Sequence, residues 1–83
     1  MELYKWYKGT ELPDINEYGY MDCLIIFRHY GYQEMCIGRF TEAGRGMGMG
    51  TVPFWYGRFP QIPEIKQEDI IAYMPIEFPK EVS

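Results

Sequence analysis

Residues that favour β-strands are most concentrated between Asp22 and Thr41, in two runs rich in Ile, Phe and Tyr. Such side chains suit the pleated, half-buried surface of a sheet. The two runs are separated by Tyr30-Gly31, and a glycine in a short break of this kind commonly reverses the chain. The pattern therefore predicts a central β-hairpin around which the rest of the chain is organised.

The register of this hairpin decides which side chains share a face. A turn centred between Tyr30 and Gly31 predicts four cross-strand pairs: Leu24 with Ile37, Ile25 with Cys36, Ile26 with Met35, and Phe27 with Glu34. Both faces are then largely apolar, whereas a sheet that is covered on one side alternates between apolar and polar residues. We therefore expect further strands or loops to cover both faces. A turn shifted by one residue would re-pair every position, so the pattern leaves that alternative open.

Shorter apolar runs on either side of the hairpin predict further strands. Residues 3–7 can add a strand at the sheet edge, with Trp6 as an anchor in the core. The run Ile70–Pro75 predicts a last strand that ends at a proline. We therefore expect a mainly β fold with a single domain over residues 1–83. It should be a small antiparallel sheet or partly open barrel of about four to five strands, with a central hairpin and at most one short helical turn.

The predicted helical turn lies in an acidic stretch just before the last strand. Pro63 suits the first position of such a turn, which would continue through residues 64–67. Glu64, Glu68 and Asp69 would then form an acidic edge. A solvated face is the simplest interpretation of this edge, and contact with a basic partner is the alternative.

The densest aromatic cluster lies in residues 52–60, VPFWYGRFP. Side chains alternate between the two faces of an extended strand, so these aromatic residues cannot all point inward. If Phe54 and Tyr56 are core residues, Trp55 is exposed beside Arg58. Because Trp, Tyr and Arg dominate interface hot spots, we predict Trp55, Tyr56 and Arg58 as partner-binding residues. Packing of the whole cluster in the core is the alternative.

A glycine-rich run follows the hairpin at residues 42–51, EAGRGMGMGT. Glycine-rich loops that hold phosphates lead into a helix or carry a Lys-Ser/Thr pair, and no lysine follows here before Lys66. A mobile loop is the simplest interpretation. As an alternative, the flexible side chains of Met47 and Met49 can adapt to a partner surface, and we add both methionines to the predicted partner-binding residues.

Composition and charge narrow the classes of function. The chain has 83 residues, a formal net charge of −4, and 18% aromatic residues. An acidic chain is poorly suited to bare nucleic acid or to an anionic membrane surface. No apolar run approaches the length of about 18 residues that a membrane span requires, and the N-terminal stretch has no secretion-signal pattern. We therefore expect the protein to act in the compartment where it is made.

Few residues offer catalytic or metal-binding chemistry. In the predicted register Cys23 and Cys36 are diagonal neighbours on one face, which favours buried thiols over a disulfide. A cysteine nucleophile would need a partnered base and a lowered pKa. His29 could act as a general base oriented by Glu34, but a single histidine at a hairpin tip is more often a solvated turn residue. We predict no enzyme activity, no metal site and no cofactor.

The end of the chain carries a resemblance to a known family. Residues Asp69–Lys80, DIIAYMPIEFPK, resemble the V-T-H-W-M-P-L-P-E-P-P-K ending of a family of small phage and prophage proteins of unknown function. The family's early tryptophan, Leu-Pro loop, apolar strand, Gly-x-aromatic hairpin and later tryptophan correspond in order to Trp6, Leu12-Pro13, Leu24-Ile25-Ile26, Gly38-Arg39-Phe40 and Trp55. The family's His-Trp is Ala72-Tyr73 here. The resemblance implies a compact β domain and a phage origin, with no established chemistry.

Together these features favour a phage-encoded accessory protein that binds and inhibits a host bacterial protein in the host cytoplasm. An antiphage defence component such as a CRISPR effector would be one such target. The carboxylates of Glu64, Glu68 and Asp69 would occupy a basic groove that normally binds nucleic acid, while Trp55 or the two methionines supply an apolar contact.

Two other functions stay open at this point. The first is a protein that sequesters a small molecule or nucleotide in the loop at residues 44–50, with Arg39, Arg45 and Arg58 as partners for the anion. The second is a structural or virion-associated module that pairs with another chain at an open sheet edge.

Overall fold

The computed structural model describes residues 1–14, 19–41 and 53–77. Within these ranges the elements are β1 (Tyr7–Lys8), β2 (Tyr20–His29), β3 (Tyr32–Thr41), β4 (Phe54–Phe59), β5 (Gln61–Ile65), a 3-10 turn (Gln67–Asp69) and β6 (Ile70–Pro75). The strands form one antiparallel sheet in the order β1-β6-β2-β3-β4-β5. The predicted mainly β fold class is confirmed. The sheet has six strands, more than predicted, because the aromatic cluster and the stretch after it form two strands rather than one.

The central hairpin has the predicted register. β2 and β3 pair Leu24 with Ile37, Ile25 with Cys36, Ile26 with Met35, and Phe27 with Glu34. Tyr30 and Gly31 both adopt positive φ angles, 51° and 82°, as a two-residue turn between right-twisted strands requires. Glycine accepts this conformation without a steric penalty, which is why the Tyr30-Gly31 break fixes the register.

The N-terminal segment adds a strand at the sheet edge, as the sequence predicted, but this strand covers only Tyr7–Lys8 and it pairs with β6. Tyr7 lies opposite Tyr73, and their rings stack with centroids 5.8 Å apart. The prediction that Trp6 anchors this segment is wrong, since Trp6 is 44% exposed. Alternation along an extended chain points Tyr7 toward the sheet and therefore turns the preceding residue away from it.

The core lies on one face of the sheet, which we call the inner face. Its buried apolar residues are Cys23, Ile25, Phe27, Cys36, Phe40, Trp55, Ile65, Ile70 and Tyr73. The rings of Trp55 on β4 and Tyr73 on β6 are 5.1 Å apart, although β2 and β3 lie between these two strands. The sheet must therefore curl around its inner face, so that residues from distant strands meet in one core.

The helical turn forms later in the chain than predicted. Residues 64–67 do not form it, because Gln61–Ile65 is strand β5 and the 3-10 turn covers Gln67–Asp69. Pro63 lies within β5, where an edge strand tolerates a residue that cannot donate a backbone hydrogen bond. The strand also places Ile65 in the core, which a helical turn starting at Pro63 would not do.

Candidate functional site

The face opposite the core, which we call the outer face, carries a continuous apolar surface. Leu24 and Ile26 of β2 face Ile37 and Met35 of β3 on one side, and Met74 and Ala72 of β6 on the other. We call these six residues the outer band. Met35 is 53% exposed, and the other five are partly buried. Since the six strands form a single sheet, the expectation that strands cover both faces is wrong for this face, whereas cover by a loop stays a prediction.

Phe59 extends the outer band onto β4. It lies opposite Ile37 at an irregularity in the β3–β4 pairing, and it is 60% exposed. A β-bulge often redirects a side chain toward solvent. The outer band therefore spans four adjacent strands, from β6 to β4, and includes two large apolar residues that are more than half exposed. Contiguous exposed apolar surfaces of this kind mark interaction sites.

A charged cluster borders the outer band on one side. Arg39 donates two hydrogen bonds to Asp22, with Nε–Oδ1 and Nη2–Oδ2 distances of 2.7 and 3.4 Å. The Arg58 Nη1 atom is 3.7 Å from the same Oδ1, and the Arg39 guanidinium lies 4.0 Å from the ring centroid of Tyr20. Burial alone would lower the pKa of Arg39, but the hydrogen bond and charge of Asp22 raise it overall. Two guanidinium groups thus contact one carboxylate.

A further arginine borders the outer band on the opposite side. Arg28 lies opposite Gln33, two pairs beyond Ile26 and Met35 toward the turn and therefore on the same face, and both side chains are exposed. Positions 22 and 28 are about 20 Å apart along an extended strand. The outer band is therefore flanked by arginine on both sides, although the whole chain carries a net charge of −4.

The predicted partner-binding residues of β4 are divided between the two faces. The prediction that Trp55 is exposed is wrong, since it is 1% exposed, packs against Phe40 and Tyr73, and donates a hydrogen bond from Nε1 to Gln67. Strand alternation explains the outcome, because it places Trp55 on the inner face and its neighbours Tyr56 and Arg58 on the outer face. Arg58 therefore belongs to the charged cluster, and Tyr56 lies beside it, paired to Arg39.

The remaining predicted residues lie elsewhere. Glu64 and Glu68 are exposed and line one shallow cleft at the β5 edge, with Lys66 between them. Asp69 is partly buried at the end of the 3-10 turn and does not line that cleft. The predicted contacts of Met47 and Met49 fall outside the described residues. Of the three carboxylates of the predicted acidic edge, Glu64 and Glu68 therefore lie together and Asp69 lies apart from them.

Sequence reasoning missed the outer band and its Asp22–Arg39 pair as a site. Both follow from the hairpin register, because extending the predicted pairs outward brings Asp22 opposite Arg39. Opposite charges that are directly paired on one face of a sheet are a readable signal. The two-sided apolar pattern is also visible in the sequence, where it predicts strands or loops over both faces rather than an open surface.

The residues considered for catalysis are one histidine at the hairpin tip and two buried cysteines. His29 Nδ1 pairs with Glu34 at the exposed hairpin tip. Cys23 and Cys36 are buried free thiols, which confirms the preference for thiols over a disulfide. Burial, reinforced by the charges of Asp22 and Glu34 respectively, raises the pKa of Cys23 to about 12 and that of Cys36 to about 11. Both thiols are therefore protonated at neutral pH and are poor nucleophiles.

This environment predicts low reactivity of the two cysteines. Because a thiol must ionise to react, iodoacetamide at pH 8 should alkylate Cys36 and Cys23 about 100-fold more slowly in the folded chain than in the chain unfolded by urea. The rate in the folded chain should increase as the pH is raised toward 11, the pKa of Cys36. Mass spectrometry over a time course measures both rates, and equal rates in the folded and unfolded chains would contradict the assignment.

Neither a metal-binding group nor a membrane-spanning helix is found within the described residues. No group of three or more His, Cys, Asp or Glu residues within residues 1–14, 19–41 and 53–77 could hold a metal ion. No helix in the same ranges is long and apolar enough to cross a membrane. In comparisons with known proteins, no family model, curated protein or solved structure matches this chain.

Proposed function

We propose that this chain is a non-catalytic protein-binding domain, encoded by a phage, that binds and inhibits a host bacterial protein through the outer face of its sheet. The target class that we propose is an antiphage defence component such as a CRISPR effector. The observation that carries the proposal is the outer band, an apolar surface on four adjacent strands in which Met35 and Phe59 are more than half exposed. The phage origin rests on the resemblance of the last strand and tail.

The composition of the outer face supports a protein partner. Interface cores combine apolar and aromatic side chains with arginine, and a few such residues provide most of the binding energy. Here Phe59 lies opposite Ile37, and the Arg58 guanidinium lies 5.8 Å from the Phe59 ring centroid. A partner that covers this surface would remove exposed apolar area from water, at about 25 cal/mol per Å² of buried apolar surface before the costs of association.

The acidic edge provides a second surface for the same function. Glu64 and Glu68 are exposed on one cleft at the β5 edge of the sheet, next to β4, where the outer band ends. Exposed carboxylates on a rigid sheet suit a basic groove that normally binds nucleic acid, and they increase the rate of association with it. The edge would then guide the encounter, while the outer band supplies the buried contact.

The small-molecule alternative has less support from the geometry. Arg39 and Arg58, two of the three predicted anion partners, do lie together, and Arg45 is outside the described residues. Both guanidinium groups already contact Asp22, so an internal carboxylate occupies the position that a phosphate would need. An anion would have to displace an ion pair whose carboxylate is only 14% exposed.

The strand-addition alternative also has less support. The two edge strands are β1, with two residues, and β5, with five. Pro63 interrupts β5, and Glu64 follows it. Short edges, proline and charged residues are the features by which proteins prevent edge-to-edge pairing. A partner chain would therefore find little unpaired backbone at either edge.

A capture experiment tests the proposal. The tagged chain is incubated with nuclease-treated bacterial lysate, and the proteins that it retains are identified by mass spectrometry. Met35→Glu places a charge in the outer band and should reduce retention of the specific partner at least about tenfold. Leu12→Ser is the matched control, because Leu12 is 61% exposed and lies outside the strands. A partner that is retained equally by both variants would contradict the role of the outer face, and the absence of any retained protein would contradict the function itself.

A further inference from the structure

The half of β3 nearest the hairpin turn has one open side. β4 pairs with β3 only along residues 37–41, so within the described residues no strand lies beside residues 32–36 on the side away from β2. We propose that this stretch, which we call the open half of β3, receives an extended segment of the partner protein as an added β-strand. The proposal rests on the proposed function and deepens it, because Met35 belongs to both the open half of β3 and the outer band.

The hairpin register determines which backbone groups face the open side. His29 and Tyr32 flank the two-residue turn, and residues at these positions exchange both of their backbone hydrogen bonds. Such pairs alternate along the ladder with pairs that are not hydrogen-bonded, and the latter include Gln33 and Met35. The N–H and C=O groups of Gln33 and Met35 therefore point away from β2. They offer two donors and two acceptors to an incoming strand.

Exposure along β3 changes at the point where β4 ends. The first four residues of β3, from Tyr32 to Met35, are exposed, and the remaining six are buried or partly buried. Phe59 lies opposite Ile37 at the end of β4, and like Met35 it is more than half exposed. A strand added beside Met35 would lie in line with β4 and end next to Phe59. It would therefore cover apolar surface on both side chains.

The form of the open half of β3 selects an extended occupant. Unpaired backbone groups at the spacing of a strand are matched by another strand, whereas a helix bonds its own backbone groups internally. The terminal strands are protected, since β1 has two residues and Pro63 interrupts β5. Residues 32–36 contain neither proline nor lysine, and their one charged residue, Glu34, is paired with His29 across the hairpin. The usual protection against strand addition is therefore missing from this stretch.

A second copy of this chain does not fit the open half of β3. Both open residues of each chain pair only when Gln33 lies opposite Met35 of the copy. Because paired residue numbers keep a constant sum in an antiparallel ladder, Gly31 then lies opposite Ile37 of the copy. Phe59 already occupies the position beside Ile37 in each chain. A segment of a different protein meets no such obstacle, because it can leave the sheet before it reaches Phe59.

The pairing also specifies the partner segment. About five residues suffice, because the open half of β3 is about 17 Å long at about 3.4 Å per residue. Segment residues opposite Gln33 and Met35 lie on the outer face, and the residue between them lies on the inner face beside Glu34. We expect an apolar residue opposite Met35, where it continues the outer band. Proline is excluded opposite Gln33 and Met35, because the segment must donate its own N–H there.

The first test uses linear peptides as the probe. A random displayed library is selected for binding to the full chain, and the enriched peptides are resynthesised with a single backbone N-methyl group at each position in turn. N-methylation should weaken binding at least about tenfold at alternate positions and have little effect between them, because only every second N–H faces β3. Equal effects at all positions would overturn the proposal, and so would failure to enrich any peptide whose binding is abolished by Met35→Glu.

Amide exchange provides the second test. In the free chain the amides of Gln33 and Met35 should exchange faster than those of Glu34 and Cys36, which are bonded to β2. A selected peptide should slow exchange at Gln33 and Met35 at least about tenfold, as measured by NMR at each amide. A peptide that binds and leaves these two rates unchanged would overturn the proposal.

A substitution in β3 provides the third test. Gln33→Pro removes an outward N–H without removing a bond to β2, so the folded variant should bind the selected peptides at least about tenfold more weakly. Gln33→Ala is the matched control, because it removes the side chain, keeps the N–H and should retain binding. Equal affinities for the two variants would overturn the proposal. The N-methyl series and the exchange rates do not depend on how well Gln33→Pro folds.

The proposed function is tested separately from this mode of binding. A lysate protein captured through Met35 but insensitive to Gln33→Pro would keep the function and overturn strand addition. A dimer in sedimentation that dissociates with Gln33→Pro would identify the open half of β3 as a self-association site and would also overturn it. Peptides that bind as an added strand, with no lysate protein retained, would support the site and contradict the proposed function.

Discussion

Replacement of Trp55 by alanine is expected to lower the free energy of unfolding by about 3–5 kcal/mol, the usual cost of removing a buried large aromatic side chain. Trp55 is 1% exposed, and its ring contacts Phe40 and Tyr73 at centroid distances of 4.8 and 5.1 Å. The substitution also removes the hydrogen bond from Nε1 to Gln67. A domain of this size has a total stability of about 4–12 kcal/mol, so we expect a measurable fraction of the variant to be unfolded at 37 °C.

The other tryptophan provides the matched control for this prediction. Trp6 is 44% exposed, and Trp6→Ala removes the same side-chain atoms as Trp55→Ala. It should nevertheless lower the free energy of unfolding by less than about 1 kcal/mol. Urea denaturation followed by circular dichroism measures both variants with a probe that does not depend on either indole. Similar losses for the two variants would contradict the assignment of Trp55 as the centre of the core.

Replacement of Gly38 by alanine is expected to cost about 3 kcal/mol or more, because the added methyl group has no space. A Cβ atom at this position would lie 2.2 Å from the backbone oxygen of Tyr56 and 2.8 Å from Cδ1 of Ile25. The first contact is to backbone, so β3 and β4 must move apart to relieve it. Weakened pairing should also allow the amides of β4 to exchange with solvent faster than those of β2.

Gly31→Ala distinguishes this steric effect from the conformational cost of replacing a glycine. Gly31 has a φ of 82°, and no atom lies within 4 Å of a Cβ built there. The expected cost is therefore the left-handed backbone penalty alone, about 1–2 kcal/mol. Urea midpoints of both variants measure the difference, and a larger loss for Gly31→Ala than for Gly38→Ala would contradict the close approach of β3 and β4.

The sequence was most informative where one local feature determined the geometry. The Tyr30-Gly31 break set the turn, and the turn set every pair along the hairpin. Pro75 similarly marked the end of β6, because proline interrupts a strand. In both cases the deciding residue lies within the element itself, so no knowledge of distant contacts was required.

The orientation of β4 could not be obtained in the same way. Its run FWYGRF offers an aromatic residue to either face, so its own pattern does not select one. Trp55 lies on the inner face because β4 pairs with β3 in the register that places Trp55 opposite Phe40 and Gly57 opposite Gly38, where a Cβ atom at Gly38 would not fit. This close approach joins two strands separated in sequence, and it becomes visible only when their register is known.

The candidate site was also only partly predictable, because its apolar residues look like core positions when one strand is considered alone. Arg58 and Tyr56 were identified by residue type, and they do lie on the outer face. The outer band itself is built from residues that would be ordinary core positions in a two-layer fold. Whether such residues are covered depends on how many layers the domain has, which the alternation of a single strand does not specify.

The position of β6 in the sheet also determines the order in which the fold can be completed during synthesis. β6 is the last strand within the described residues, yet it lies between β1 and β2. Since ribosomes add residues from the N-terminus at about 5–20 per second, the hairpin of β2 and β3 can form while the other edge of β2 is still unpaired. Each nascent chain thus carries an open strand edge until residues 70–75 have been made, and that interval is when pairing with a neighbouring chain competes most directly with folding.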